Sequence, residues 1–156
     1  GGFTTFSAAS VEGVRLLRAG RPAAALAHAG GGLVVALLAA FFCWGAASHA
    51  FGAVQDVGAD REAGIASIAT VFGARVTVRI AIAVYLLGGV LLLFTDWPGP
   101  LAAVLVLPYV AMCWPYRSIA DSDAQRANRG WRAFLWLNFA VGFAATMLLI
   151  WWSFIR

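Results

Sequence analysis

Asp56 and Asp60 stand four residues apart where a long apolar stretch gives way to polar residues, and Arg61 follows directly. Three of the chain's seven acidic residues, Asp56, Asp60 and Glu62, fall in this short run. Residues at i and i+4 share a helical face, so the pair can aim its carboxylate oxygens at one point. A hard divalent cation accepts that arrangement, and Mg²⁺ in particular is held by a carboxylate or two with substrate phosphates completing its shell. Arg61 beside the pair can meet the remaining phosphate charge. If the chain does chemistry, it is expected in the run from Ser48 to Gly64.

The elements that must position these residues are set by composition. Of 156 residues 62% are hydrophobic and 12% charged, with a mean hydropathy of +0.84. Soluble domains run near about 45–50% apolar and about 25% charged, so the solvent here is a lipid bilayer. The net charge of +4 comes from eleven basic residues, all of them arginine, against seven acids. Arginines clustered beside apolar spans read as cytoplasmic anchoring rather than as a nucleic-acid surface. Cys43 and Cys113 lie alone in apolar stretches without metal or redox spacing, and are expected to be small core residues with no disulfide. The chain opens at Gly1 without Met and without a basic-then-apolar leader, so its true N-terminus is expected to be missing.

Ala23 to Val54 is almost free of charge, and a helix crosses a bilayer in about 20 residues. Gly30-Gly31-Gly32 is the expected weak point, at roughly 1 kcal/mol per glycine relative to alanine, which places the main span from about Leu33 to Gln55. A semi-polar segment, Ile65 to Arg75, follows the acidic pair. Three further apolar runs can each span, at about Val76–Phe94, Leu101–Pro115 and Ala133–Phe154. The turn at 95–100 lacks basic residues, whereas Arg117, Arg126, Arg129 and Arg132 crowd the loop at 117–132. The positive-inside rule then puts that loop and the Asp56/Asp60 loop, with Arg61 and Arg75, in the cytoplasm. A single crossing leaves Arg15, Arg18 and Arg21 on the other side, against the rule. Asp121 and Asp123 read as charge balance on a solvated face. Trp97, Trp131, Trp151 and Trp152 read as interfacial anchors near span ends. His28 reads as interfacial. His49, seven residues before Asp56 and on the same side of a helix, reads either as a packing hydrogen bond or as a site residue. The expected fold is an all-α polytopic membrane bundle of about four transmembrane helices plus an N-terminal broken or interfacial helix.

The opening Gly1-Gly2-Phe3-Thr4-Thr5-Phe6-Ser7 has glycines that permit irregular backbone. It is either a Gly-rich loop with a hydroxyl helix cap or an ion site. The run GGFTTFSAAS, followed by VEGVRLLRAGR and continuing to about Ala40, resembles the Fluc (CrcB) fluoride channels. That resemblance implies a structural Na⁺ held at Gly1 and Thr4, and a fluoride path near Phe3, Thr5, Phe6 and Ser7. Ala8-Ala9 departs from the usual Thr-Phe, and the family's earlier helices are absent from the sequence.

From about Phe41 onward the chain resembles a different family. The run AFFCWGAASHAFGAVQDVGADREAGIASIATVFGAR matches the second aspartate-rich motif, D-x-x-x-D-R, of the UbiA-superfamily intramembrane prenyltransferases. The wording from His49 to Gln55 is most similar to the lycopene-elongase branch, which belongs to carotenoid biosynthesis. The resemblance implies Mg²⁺-dependent transfer of a prenyl group from a prenyl diphosphate to a lipophilic acceptor. It implies Asp56 and Asp60 as catalytic metal ligands, and Arg61 and His49 near the substrate. It also implies a first aspartate-rich motif, which these 156 residues do not contain. The expected division is therefore 1–40, channel-like, and 41–156, the C-terminal half of a transferase. The functional readings are a partial prenyltransferase, a fluoride-channel fragment, or an inactive hybrid. The partners implied are a bacterial inner membrane, the two substrates, and either a homodimer or a missing N-terminal half.

Overall fold

In lipid the backbone itself is the polar chemistry that must be satisfied, and a helix satisfies it internally. The computed structural model describes residues 11, 12, 14–95 and 97–155, and every element among them is helical. Helix α1, Pro22–Val54, opens on a proline at its first turn and runs for 33 residues, about 50 Å at 1.5 Å per residue. It passes through Gly30-Gly31-Gly32 without a break, where the sequence suggested one. Its membrane-length apolar portion is Val34–Val54, close to the expected span. Because α1 is continuous, Arg15, Arg18 and Arg21 lie off the end opposite Asp56, and the charge-rule conflict stands.

After a turn at Gln55 and Asp56 come α2, Val57–Glu62, and α3, Ile68–Phe72. Helix α3 starts at a capping box: the Ser67 hydroxyl accepts from the Thr70 N–H at 3.3 Å, and the Ser67 N–H donates to Thr70 Oγ1 at 2.8 Å. Gly73, at φ +79°, turns the chain into α4, Ala74–Leu93. A positive φ of that size strains any residue with a side chain, so glycine is required there.

The third crossing, Gly99–Tyr116, is a composite. It comprises α5 (Gly99–Ala102), a 3₁₀ turn (Ala103–Val106), α6 (Leu107–Cys113) and a second 3₁₀ turn (Trp114–Tyr116). Pro108 and Pro115 each lack a ladder donor within this run, where the helix type changes, whereas Pro100 sits in the first turn of α5, where no donor is needed. A 3₁₀ segment, Asp121–Ala127, then leads into α7, Asn128–Ile155. Together these last two form an apolar stretch of 35 residues, longer than a crossing requires. Arg126, Arg129 and Arg132 lie in its first part, where the charge rule puts the water boundary. Four membrane-length helical stretches thus make this a multi-pass membrane protein.

The core sits where α1 meets α4. Ala47, Ala50, Ala74 and Ala81 are buried there, and small residues let the backbones approach closely. The Ser48 hydroxyl donates to the Trp44 carbonyl at 2.6 Å and shares a hydrogen bond with the Tyr85 hydroxyl at 2.9 Å. Tyr85 stacks on Tyr109, with centroids 5.2 Å apart, and Tyr109 donates to Asn138 Oδ1 at 2.9 Å, tying α4, α6 and α7 together. Cys43 and Cys113 are buried and unbridged, as expected. Phe42, Trp136 and Phe154 are exposed at 73%, 77% and 84%. Bilayer lipid covers such faces.

Candidate functional site

The residues at 55–75 and 117–132 gather at one end of the bundle. Val54 and Val57 are fully buried, so the chain is anchored on both sides of Gln55 and Asp56. The sequence places both carboxylates within one helix, whereas Asp56 is the residue preceding α2 and Asp60 lies inside it. The helical spacing survives, because the Asp60 N–H donates to the Asp56 carbonyl at 2.8 Å. The two side chains therefore lie one turn apart. The Asp56 side chain does not cap α2. It accepts one long hydrogen bond from Gln55 Nε2 at 3.5 Å. The Asp60 carboxylate has no hydrogen bond or ion pair with another described residue. Gln55 in turn accepts from Asn128 Nδ2 at 2.6 Å, which fixes the end of α1 to the start of α7.

Arg61 does not turn toward the carboxylate pair. It forms an ion pair with Asp121 at 2.6 Å and reaches the Thr70 carbonyl at 3.5 Å. The same Asp121 accepts the Ala74 N–H at 2.7 Å, the first donor of α4. The reading of Asp121 as a charge on a solvated face is thus corrected: it joins the motif loop to the start of α4. Asp123 is exposed and keeps that reading. The Ala74 N–H, and after it the Arg61 guanidinium, hold the Asp121 carboxyl below the usual carboxylate range. A depressed folded-state value means the stabilisation is complete above the unfolded value of about 3.9 and is lost as pH falls through the folded one. Replacing Asp121 by Ala is expected to cost about 1 kcal/mol at neutral pH, the usual loss for a helix N-terminal cap. Thermal unfolding in detergent checks this, and an unchanged midpoint would mean the contact is dispensable.

The His49 side chain is exposed, and no described residue hydrogen-bonds to it. The packing hydrogen bond is therefore not made among the described residues, and the site role stands as a proposal. Trp131, read as a membrane anchor, instead stacks on Phe134 at 4.7 Å. A Cβ placed at Gly52 would come within 3.0 Å of its ring. The indole packs the start of α7 against α1. Gly1, Phe3, Thr4, Thr5, Phe6 and Ser7 lie outside the described residues. No group of three or more His, Cys, Asp or Glu converges among the described residues. A cation that draws its remaining ligands from substrate phosphates fits two carboxylates outside any described ion pair; one that needs a complete protein cage does not.

A multi-pass helical protein with an aspartate pair one turn apart at the charged mouth of its bundle is the class that fold and site define. Residues 16–139 match the UbiA prenyltransferase family, and the chain belongs to that family. It is 50% identical over 121 residues to the C(50) beta-cyclic carotenoids biosynthesis protein LbtBC of Dietzia sp., covering 77% of this chain and 28% of that protein. It is 47% identical over 113 residues to a lycopene elongase/hydratase of Corynebacterium glutamicum, covering 72% of this chain and 39% of that protein. The chain thus spans well under half the length of these curated relatives. No solved structure matches it. The family match begins inside the segment 1–40, and neither it nor these relatives support the fluoride-channel resemblance of that segment.

Proposed function

We propose that the chain carries the second carboxylate site of an intramembrane prenyltransferase, one that moves a prenyl group from a prenyl diphosphate to a lipophilic acceptor. The observation that carries this is the pair Asp56 and Asp60, one helical turn apart at the bundle mouth, with the Asp60 carboxylate free of a partner among the described residues. Mg²⁺ bound there with diphosphate oxygens would supply charge neutralisation as the allylic carbon–oxygen bond breaks. Gln55 orients Asp56, and Asp121 holds Arg61 close by. Arg61 then reaches the leaving diphosphate by exchanging that contact for phosphate oxygens, and His49 lies one to two turns further along α1. The apolar helices keep water from the carbocation. The relatives' names extend the proposal to a carotenoid-type polyene as acceptor.

Arg61, Arg75, Arg79, Arg117, Arg126, Arg129 and Arg132 all fall at the Asp56 end of the bundle. This supports a bacterial inner-membrane location with that end cytoplasmic. The family resemblance implies two aspartate-rich motifs and the sequence holds one, so the proposal assigns this chain half of the site. A longer chain or a partner would contribute the other half. Little or no turnover is expected from the 156 residues alone.

The test is binding of a non-hydrolysable prenyl diphosphate analogue to the purified chain in detergent, with Mg²⁺ and again with EDTA. Binding that appears with Mg²⁺ and disappears with the chelator is expected. Equal binding, or none, in both conditions would overturn the assignment.

A further inference from the structure

At the charged end, where the 3₁₀ segment Asp121–Ala127 passes into α7, lies a cavity of about 600 Å³. Arg126, Arg129 and Arg132 line it with the amides of Gln125 and Asn128, and Asp123 is its one carboxylate. Asp56, Asp60 and Arg61 are not part of its wall. The three arginines recur every third residue, so their side chains climb one side of the segment. Each guanidinium remains available: the ion pairs among the described residues are Arg15–Glu12 and Arg61–Asp121, and none of the three arginine side chains makes a hydrogen bond there.

Arginines at a membrane edge satisfy the charge rule on an open surface. That rule requires neither a concavity nor neutral donors set among the cations. Guanidinium groups offer only donors, in a fork that matches phosphate oxygens, and the amides add more. A ligand that fits must be anionic and rich in acceptor oxygens. The volume falls within the roughly 300–1,000 Å³ of small-molecule sites.

We propose that this cavity is a phosphate-binding site separate from the aspartate pair, with Arg126, Arg129 and Arg132 holding the phosphate oxygens without a divalent cation. The phosphate has two possible sources, the headgroup of an anionic phospholipid at the bilayer surface or a soluble diphosphate. The site is mechanically joined to the motif, because Asn128 in its wall donates to Gln55 and Gln55 contacts Asp56. Binding itself does not depend on the proposed transferase reaction.

The experiment uses the purified chain, the triple variant Arg126→Gln, Arg129→Gln, Arg132→Gln, and an Arg21→Gln variant, all in EDTA. One arm titrates inorganic diphosphate by calorimetry in neutral detergent. The other counts phosphatidylglycerol molecules retained in native mass spectrometry after exposure to vesicles of equal parts phosphatidylglycerol and phosphatidylcholine. The triple variant is expected to lose at least tenfold in one arm or both, while Arg21→Gln, which removes one exposed charge at the far end of α1, keeps wild-type behaviour. Loss confined to the diphosphate arm identifies the soluble anion, and loss confined to the lipid arm identifies the headgroup. Wild-type and triple variant behaving alike in both arms would overturn the site. If the triple variant lost its helical circular dichroism, the single Arg129→Gln, expected to weaken binding several-fold, decides the matter alone. Failure of Mg²⁺-dependent analogue binding would leave these outcomes untouched, so the two proposals fail separately.

Discussion

Replacing Asp56 and Asp60 together by Asn is expected to weaken Mg²⁺-dependent binding of the prenyl diphosphate analogue by about a hundredfold or more, roughly 2.7 kcal/mol. Asparagine keeps the size of each side chain and removes both negative charges, so the change falls on cation binding. The fold has little stake in either carboxylate. The turn between α1 and α2 is held by the backbone bond from Asp60 to Asp56, and the Asp56 side chain caps nothing. Gln55 can still donate to the carboxamide oxygen at position 56. Helical content and melting temperature are therefore expected to stay at wild-type values while affinity collapses. The magnitude follows from the site's economy of ligands: changing even the outer partners of a metal site costs about 10–100-fold, and here the protein supplies only two carboxylates. Each single substitution is expected to lose roughly tenfold. A double variant whose binding still responded to Mg²⁺ would remove the aspartate pair from the proposal.

The spans were legible because a run of some 20 apolar residues in lipid has few alternatives to a helix. The stretches Val34–Val54 and Ala74–Leu93 fall within a few residues of where hydropathy puts them. The glycine triplet marks where the first of these spans begins and does not interrupt the helix, since α1 continues through Gly30-Gly31-Gly32 on the N-terminal side of Val34. The aspartate motif was legible for a different reason, since its spacing is local and survives the turn at Gln55.

What escaped was long-range. Asp121 is 47 residues from Ala74 in sequence, and no spacing rule joins a carboxylate in one loop to the first N–H of a distant helix. Asn128 and Gln55 are separated by 73 positions, and that contact was equally invisible. Trp131 lies near a span end, where aromatic belts are expected, and its stacking on Phe134 depends on a partner helix that hydropathy does not identify. The fluoride-channel reading of 1–40 rested on local wording over a short stretch, much of which the family match takes in.

Gly130→Ala and Gly142→Ala, both within α7, are expected to shift stability in opposite directions. Alanine in place of glycine inside a helix gains up to about 1 kcal/mol from backbone entropy, and this gain is common to both sites. At Gly142 a new Cβ meets nothing within 4 Å, so the gain stands and the melting temperature should rise. At Gly130 a Cβ would lie 2.8 Å from Phe51 Cζ, 2.8 Å from Tyr116 Cε2 and 3.1 Å from Phe51 Cε1. Carbon atoms pack at about 3.5–4.0 Å, so the rings must move. Phe51 is 1% exposed and packs against Tyr116 with centroids 5.7 Å apart, which leaves it little room. Overpacking of this kind costs about 1–3 kcal/mol, enough to exceed the entropic gain. Gly130→Leu, with three more heavy atoms in the same gap, is expected to fall at or beyond about 3 kcal/mol. The displacement also has a direction. Phe51 lies five residues before Asp56 on α1, so a ring pushed aside at Gly130 shifts the helix end that carries the aspartate motif. Thermal unfolding of the two alanine variants in one detergent decides the point: a rise in both would mean that α7 does not pack against α1 as closely as these distances require.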